Sequence, residues 1–162
     1  HASDTAELHF DDCRVPARNM LGPENAGFRI IMEGFEGERL VLSVMICAHM
    51  NLMWEEARRY GHERKTFGRP ILANQAWQHR LADALATITA AEALTSHAID
   101  LYVRGKPANA EISMAKLFAA EAIVTVAHDC AQIFGGNRFM EEYLIARLSR
   151  DSLAFSVGAG TS

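Results

Sequence analysis

The sequence predicts an all-α fold, an antiparallel bundle of long helices that follows a short stretch of β-structure. From Gly27 onward, apolar residues recur every three or four positions, the spacing of amphipathic helices. Glycine and proline interrupt this pattern mainly near residues 67–70, 105–107 and 135–136. A helix of about 30 residues is ~45 Å long. Long helices joined by such short connections lie antiparallel.

Four helices are predicted from these breaks, covering residues 27 to about 60, 75–104, about 107–134 and 141–155. The spacing assigns an inward face to each of the three long helices. In the first helix this face comprises Ile31, Phe35, Leu42, Met45, Leu52 and Met53. In the second it comprises Trp77, Leu81, Leu85, Ile88, Ala98 and Leu101. In the third it comprises Leu117, Ala120, Val124, Ala127, Ala131 and Phe134.

The first two dozen residues follow a different pattern. Residues 5–10 alternate between apolar and polar side chains, which predicts a strand, and residues 21–27 form a cluster of helix-breaking residues. We therefore expect residues 1–24 to be the end of a β-domain and a linker. Residues 25–162 are expected to form a helical-bundle domain that stops before its last helix.

Composition argues against several classes of protein. The net charge of −4 and the mixing of basic with acidic residues disfavour a nucleic-acid partner. The three cysteines lack a CxxC spacing, which indicates reduced thiols. No HxxxH or HExxH pair supports a metal site. No apolar run reaches the ~18 residues that a membrane span needs.

Glu38 is the residue most suggestive of chemistry. It falls on the predicted apolar stripe of the first helix, between Phe35 and Leu42. A carboxylate on that stripe would be desolvated and suited to act as a general base near neutral pH. The structural alternative, which periodicity alone favours, is a partly exposed glutamate paired with a neighbouring arginine. The adjacent Arg39 suits an anionic or carbonyl group, although most helix arginines are solvated.

Two turns are suited to an anionic ligand. Residues 64–69, RKTFGR, place cations and an aromatic ring beside a glycine, which fits a diphosphate or a purine. The alternative is that these cations complement the dipole of a helix end. Residues 132–136, QIFGG, combine an amide with glycines that let a ligand approach the backbone, but a helix cap explains them equally well.

Several segments, taken in order, resemble the C-terminal part of the acyl-CoA dehydrogenases. Residues 15–22, VPARNMLG, resemble that family's junction between its β-domain and helical domain. Residues 64–71, RKTFGRPI, resemble its RxxFGxPI block, and residues 132–137, QIFGGN, its QxxGGxG block. Arg138 stands where the last glycine of that block is usual. Arg150-Asp151 and residues 158–162, GAGTS, resemble its RD…GT segment. The match covers nearly the whole chain.

This resemblance implies FAD-dependent removal of hydrogen from the α- and β-carbons of an acyl-CoA thioester. In many family members the proton acceptor is the glutamate of a Tyr-Glu-Gly-Thr motif, but here Ala159 stands at that position. Isovaleryl- and long-chain-type members carry the base on the first long helix in a Glu-Arg pair. Glu38-Arg39 stands at that place. The resemblance therefore makes Glu38 the catalytic base.

The resemblance also implies the remaining site residues. Glu36, Gly37, Glu38 and Arg39 would line the acyl-CoA site. The residues expected to contact FAD are Arg64, Thr66, Phe67, Gln75, Gln132, Gly135, Gly136 and Thr161. The expected partners are an electron-transfer flavoprotein and further copies of the chain in a homodimer or homotetramer. The expected location is the bacterial cytoplasm or the mitochondrial matrix.

Three other functions stay open at this point. A fold relative such as an acyl-CoA oxidase, or a flavin monooxygenase of the same architecture, would share these motifs. A helical interaction domain without chemistry would keep the fold alone. The chain by itself is expected to be inactive, because the segments that cover the flavin ring in this family have no counterpart beyond residues 1–24.

Overall fold

Within residues 6–161, which the computed structural model describes, the chain folds into three long α-helices and a short one. They are α1 (Gly27–Glu63), α2 (Gln75–Val103), α3 (Asn109–Gln132) and α4 (Leu144–Asp151). Short 3₁₀ segments lie at Ala17–Asn19, Ile71–Ala73, Gly135–Phe139 and Ser152–Ser156. An antiparallel hairpin of β1 (Lys65–Thr66) and β2 (Arg69–Pro70) joins α1 to α2. The predicted all-α bundle is confirmed.

Helix α3 lies at the centre of the bundle. It packs against both α1 and α2, and α4 packs against α1 and α3. The buried face of α3 is rich in alanine, with Ala115, Ala119, Ala120, Ala122, Ala127 and Ala131. Small side chains let the helices approach closely, and Met50, Met53 and Ile88 fill the remaining space. The core is therefore continuous from α1 through α3 to α2.

The predicted inward faces are only partly correct. In α1, Met53 is fully buried, whereas Ile31, Met45 and Leu52 are exposed. The residues that α1 buries instead include Leu40, Ile46, Cys47, Met50 and Ala57. Leu85, Leu117 and Val124, which were also predicted to face inward, are exposed as well. These helices carry apolar residues on several faces, and within residues 6–161 some of those faces have no partner.

The N-terminal strand prediction is wrong for residues 6–10, where the chain has no regular structure; Thr5 lies outside the described residues. A strand needs a partner for its backbone hydrogen bonds, and within residues 6–161 none lies beside these residues, so Leu8 and Phe10 are exposed. The fourth helix is shorter than predicted, because it begins at Leu144 and gives way to 3₁₀ structure at Ser152. Among residues 6–161, no helix has the length and apolarity to cross a bilayer.

Candidate functional site

The predicted site residues fall into two groups, one beside residues 36–39 of α1 and one at the C-terminal end of that helix. The hairpin group comprises Arg64, Thr66, Phe67, Gln75, Gln132, Gly135 and Gly136. The Glu38 group comprises Glu36, Gly37, Glu38, Arg39 and Thr161. Glu38 and Arg64 are 26 positions apart along α1, or about 39 Å at ~1.5 Å per residue. A single ligand pocket encloses only ~300–1,000 Å³ and is much shorter than this distance. The two groups therefore belong to separate places on the chain.

The hairpin between α1 and α2 presents an aromatic ring to solvent. Phe67 and Gly68 form its two-residue turn, with φ of +51° and +80°. A tight hairpin of this type needs two such left-handed residues, and phenylalanine adopts that conformation only rarely. The Phe67 side chain is fully exposed. A ring held outward in this way is free to stack on a planar ligand.

A hollow of about 370 Å³ lies between this hairpin and the start of α2. Its walls are Thr66, Phe67, Arg69, Pro70, Ile71, Ala73, Asn74 and Gln75. Asn74 caps α2, because its Oδ1 accepts a hydrogen bond from the Ala76 backbone N–H at 3.0 Å. The first turn of a helix has unpaired N–H groups and partial positive charge, which favour an anion. Within the described residues, the guanidinium of the neighbouring Arg64 makes no hydrogen bond or ion pair.

The loop after α3 is fixed to this same end of α1. Asn137 Nδ2 donates to Tyr60 Oη at 2.9 Å, and the Tyr60 ring stacks on Phe134 with centroids 4.1 Å apart. Gly135 has a φ of +57°, and nothing lies within 4 Å of a Cβ built at Gly135 or Gly136. The two glycines therefore face open space, while the packed side chains of Tyr60, Phe134 and Asn137 hold the loop in place. A ligand can approach the glycine backbone closely.

Arg138 orients the side chain of Gln132. Its Nη1 donates to Gln132 Oε1 at 3.0 Å. A guanidinium has donors but no acceptor, so the atom that faces it must be the amide oxygen. The Gln132 NH₂ group is thereby left as a donor for another acceptor. This contact is a consequence of the arginine that replaces the glycine usual at position 138.

Gly61 lets three segments meet at the hairpin end of α1. A Cβ built at Gly61 would lie 2.6 Å from Leu72 Cγ and 2.7 Å from Ile133 Cδ1, whereas Gly34 has nothing within 4 Å. Gly61→Ala and Gly34→Ala both gain up to ~1 kcal/mol of helix propensity. Only Gly61→Ala overpacks the core, which costs ~1–3 kcal/mol. We expect urea unfolding to show that Gly61→Ala is ~1–3 kcal/mol less stable than Gly34→Ala. Equal free energies of unfolding for the two variants would contradict the close packing of Leu72 and Ile133 on Gly61.

Glu38 lies at a shallow apolar hollow, not in the interior. The residue is exposed. It shares a hollow of about 460 Å³ with Gly34, Gly37, Val41, Leu42 and Met45. The prediction that its position desolvates the carboxylate is therefore wrong for residues 6–161, since α2–α4 leave this face of α1 uncovered. No ion pair or hydrogen bond involves its carboxylate within those residues, so the alternative of an arginine pair is not observed either.

The two positions that the resemblance offers for the base lie on adjoining segments. Arg39 Nε donates to the Ala159 carbonyl at 3.2 Å, which fastens residues 158–161 to α1. Glu36 Oε1 accepts a hydrogen bond from Asn109 Nδ2 at 3.1 Å, which fastens α1 to the start of α3. Arg39 and Glu36 are thus engaged with the chain itself, and Glu38 is the charged member of this group that makes no hydrogen bond within residues 6–161.

Residues 25–162 match the family model described as "Acyl-CoA dehydrogenase, C-terminal domain". The chain belongs to the acyl-CoA dehydrogenase family. An acyl-CoA dehydrogenase of Bacillus subtilis is 40% identical over 162 residues, which is 100% of this chain and 43% of that relative. The mitochondrial long-chain specific acyl-CoA dehydrogenase of Sus scrofa is 38% identical over 161 residues, which is 99% of this chain and 37% of that relative.

The fold agrees with this family. The crystal structure of an acyl-CoA dehydrogenase from Geobacillus kaustophilus matches with a TM-score of 0.91 at 36% identity, covering 94% of this chain and 40% of that structure. This chain thus spans about two fifths of the length of the relatives that it matches. The predicted family resemblance is confirmed.

One charged residue of this acyl-CoA dehydrogenase domain was not predicted from the sequence. Lys116 of α3 is only 4% exposed, and its Nζ donates to the Gly160 carbonyl at 2.5 Å. Together with Arg39 and Thr161 it lines a hollow of about 280 Å³. A signal was present, because Lys116 follows Ile112 by four positions on the apolar face of α3. A lone cation in such a stripe is unusual.

Proposed function

We propose that this chain is the C-terminal helical domain of an enzyme that dehydrogenates an acyl-CoA thioester between its α- and β-carbons. The observation that carries the proposal is the unpaired Glu38 carboxylate in an apolar hollow, beside the segment where most relatives hold their base. Residues 1–24 would be the end of the preceding β-domain and its linker. We call the protein in which this domain is joined to the rest of its relatives' length the intact enzyme, and activity belongs to it, not to this chain alone.

We infer that FAD is the cofactor and that the hairpin group holds its adenosine diphosphate end. The free Arg64 guanidinium and the first turn of α2 suit the negative diphosphate. The exposed Phe67 ring suits the purine, and the open faces of Gly135 and Gly136 allow close backbone contact. The residues present therefore fit the group, with Thr66, Gln75 and Gln132 supplying further polar contacts.

The bound flavin would accept the hydride that leaves the β-carbon, since redox chemistry of this kind belongs to the cofactor. The chain itself supplies the base, with Glu38 taking the α-proton onto a carboxylate oxygen. An exposed carboxylate is strongly hydrated, and its bound water must be displaced when the acyl-CoA binds. The apolar rim formed by Val41, Leu42 and Met45 favours this displacement, and loss of water strengthens the carboxylate as a base.

Glu36, Gly37 and Arg39 would shape the acyl-CoA site from α1. Arg39 holds the Ala159 carbonyl, and Glu36 holds Asn109, so both side chains fix the walls of the site. The ring hydroxyl of Tyr102 lies 3.7 Å from a Cβ built at Gly37, an ordinary van der Waals distance, so the Tyr102 side chain of α2 lies beside α1 at this position. A fixed wall keeps the reacting carbons aligned with the base.

We propose that the flavin site is shared between two copies of the chain. Thr161 lies with Arg39 in the Glu38 group, whereas the other seven FAD residues form the hairpin group, whose Arg64 is about 39 Å from Glu38 along α1. One copy cannot place both groups around a single cofactor. In a two-fold homodimer, the hairpin group of one copy meets the Glu38 group of the other. A homotetramer would pair two such dimers.

The electron acceptor and the location follow from the same proposal. Two electrons received by the flavin must leave it, and an electron-transfer flavoprotein is the proposed acceptor. The proposed location is the bacterial cytoplasm or the mitochondrial matrix, since the relatives include a bacterial protein and a mitochondrial one.

Anaerobic bleaching of flavin absorbance in the intact enzyme tests this function. A dehydrogenase should lose its flavin colour on addition of an acyl-CoA and recover it with an electron-transfer flavoprotein. Rapid recovery with oxygen alone would favour an acyl-CoA oxidase. Flavin that is bleached by a reduced nicotinamide and not by any acyl-CoA would favour a monooxygenase, and absence of flavin would favour a helical interaction domain.

The proposed FAD contacts are tested by Arg64→Ala and Gln132→Ala in the intact enzyme. A charge-assisted hydrogen bond contributes ~1.5–3 kcal/mol, so each variant should bind FAD about ten- to a hundred-fold more weakly. Holoenzyme that does form should keep a near-normal rate of flavin reduction, because both residues would contact the diphosphate end of FAD, away from the reacting carbons. Titration of apoenzyme with FAD measures the affinity.

Arg104→Ala is the matched control for these variants, since Arg104 pairs with Asp100 at the opposite end of α2. We expect it to bind FAD like the parent enzyme. Parental FAD affinity in both Arg64→Ala and Gln132→Ala would show that the hairpin group does not hold the cofactor.

A further inference from the structure

Two cations hold successive backbone carbonyls of the segment that follows α4. Arg39 Nε, from α1, donates to the Ala159 carbonyl at 3.2 Å. Lys116 Nζ, from α3, donates to the Gly160 carbonyl at 2.5 Å. The two donors come from different helices, so the segment is fixed from both sides.

Lys116 is in an unusual setting for a lysine. Its side chain is 4% exposed, and within residues 6–161 it forms no ion pair with a carboxylate. Burial lowers its pKa, and the positive charge of Arg39 lowers it further, while Glu121 partly opposes this. An ammonium group is unfavourable in such a place unless its hydrogen bonds are well satisfied. A methionine of similar length would fill the same space without that cost.

The segment held by these cations has a strained backbone. Gly160 has a φ of +100°, which glycine adopts readily, but Ala159 has a φ of +51°, so the strain falls on Ala159. Strained conformations of this kind persist only where surrounding contacts hold them, and they concentrate at functional sites. A Cβ built at Gly158 would lie 3.4 Å from Leu42 Cδ2, which places the segment against the turn of α1 that follows Glu38.

We propose that Lys116 is a positioning residue of the acyl-CoA site, which acts by holding the strained Ala159–Gly160 backbone against α1 beside Glu38. The proposal rests on the proposed function. Lys116 itself would touch neither acyl-CoA nor flavin. Its role is to keep the wall of the site in one conformation, so that the reacting carbons stay aligned with the base.

The test is Lys116→Met in the intact enzyme, with Lys106→Met as the matched control. Lys106 is an exposed lysine in the loop between α2 and α3. Stopped-flow flavin reduction at a series of acyl-CoA concentrations gives a limiting rate and a half-saturation concentration. We expect Lys116→Met to retain its FAD and to lose about ten- to a hundred-fold in limiting rate, since small displacements near reacting atoms have effects of that size. The control should match the parent.

Combination with Ala159→Gly separates positioning from simple structural damage. Glycine adopts the left-handed conformation without strain, so the double variant Lys116→Met/Ala159→Gly should recover several-fold of the lost rate. A merely structural lysine would show no such recovery. Lys116→Gln, which keeps a shorter donor without the charge, should fall between parent and Lys116→Met, and it carries the test if the methionine variant does not fold.

The two proposals fail in different ways. If no acyl-CoA reduces the flavin of the parent enzyme, the proposed function is wrong and the role of Lys116 falls with it. If the parent is reduced but the Lys116 variants match Lys106→Met, only the role of Lys116 is overturned. Loss of rate without any recovery on adding Ala159→Gly would also overturn the positioning role.

Discussion

Glu38→Gln in the intact enzyme is expected to keep FAD and acyl-CoA binding yet to reduce its flavin ~10²–10⁴-fold more slowly, the usual effect of losing a general base. Glutamine has nearly the same shape, so the hollow around position 38 should be preserved, but its amide cannot accept a proton. Because Glu38 makes no hydrogen bond or ion pair within residues 6–161, its loss should not disturb the fold. Anaerobic stopped-flow reduction at saturating acyl-CoA measures this rate.

Glu33→Gln is the control for this experiment. Glu33 is an exposed carboxylate of the same helix, 4.0 Å from Arg29, and it lies outside the Glu38 hollow. We expect it to reduce its flavin at the parental rate. Reduction of Glu38→Gln at that same rate would place the base elsewhere, and an equal loss in both variants would indicate damage to α1 and not to a base.

Much of the fold could be predicted because the helix ends are marked by local chemistry. The break after α1 was predicted from residues 67–70, where the structure has a hairpin whose turn contains Gly68 at a φ of +80°. Gln75 begins α2 directly after the capping Asn74. Such signals depend on a few neighbouring residues, so the sequence contains them without knowledge of the tertiary structure.

The covered face of each helix could not be predicted in the same way. α1 carries Met53 and Met45 at the same apolar spacing, but Met53 is buried in the core, where Ser152 contacts its sulfur, and Met45 is exposed. The spacing of apolar residues predicts that a helix face is apolar, but it does not predict which other helix packs against that face. The expected desolvation of Glu38 failed for this reason, because its face of α1 lies outside the contacts of the bundle.

The site could be predicted only in part, since its geometry depends on long-range contacts. Family motifs supplied the identities of Glu38 and the hairpin group, but not the separation of about 39 Å between them along α1. Lys116 meets Gly160 across 44 positions of sequence, and Arg39 meets Ala159 across 120. No local sequence pattern predicts such long-range hydrogen bonds. A lysine on an apolar helix face does indicate that its ammonium group has a partner elsewhere in the chain.

Moving the base from α1 to the 158–161 segment is the strictest test of the site. Arg39 binds the Ala159 carbonyl at 3.2 Å, so position 159 adjoins the turn of α1 that carries Glu38. In the intact enzyme, Glu38→Gly should abolish most flavin reduction while leaving room in the hollow. Adding Ala159→Glu should restore part of the rate, because the new carboxylate approaches the same α-carbon from a different backbone segment.

Recovery should be incomplete, since a small misplacement of a catalytic group costs up to ~10²-fold. Any non-glycine residue at position 159 must also adopt a φ near +51°, so the new glutamate is no more strained there than the alanine that it replaces. The readout is the anaerobic bleaching rate of the parent, Glu38→Gly and the double variant, each with its FAD content. A double variant that bleaches no faster than Glu38→Gly, with FAD retained, would show that the two positions do not serve one reacting carbon.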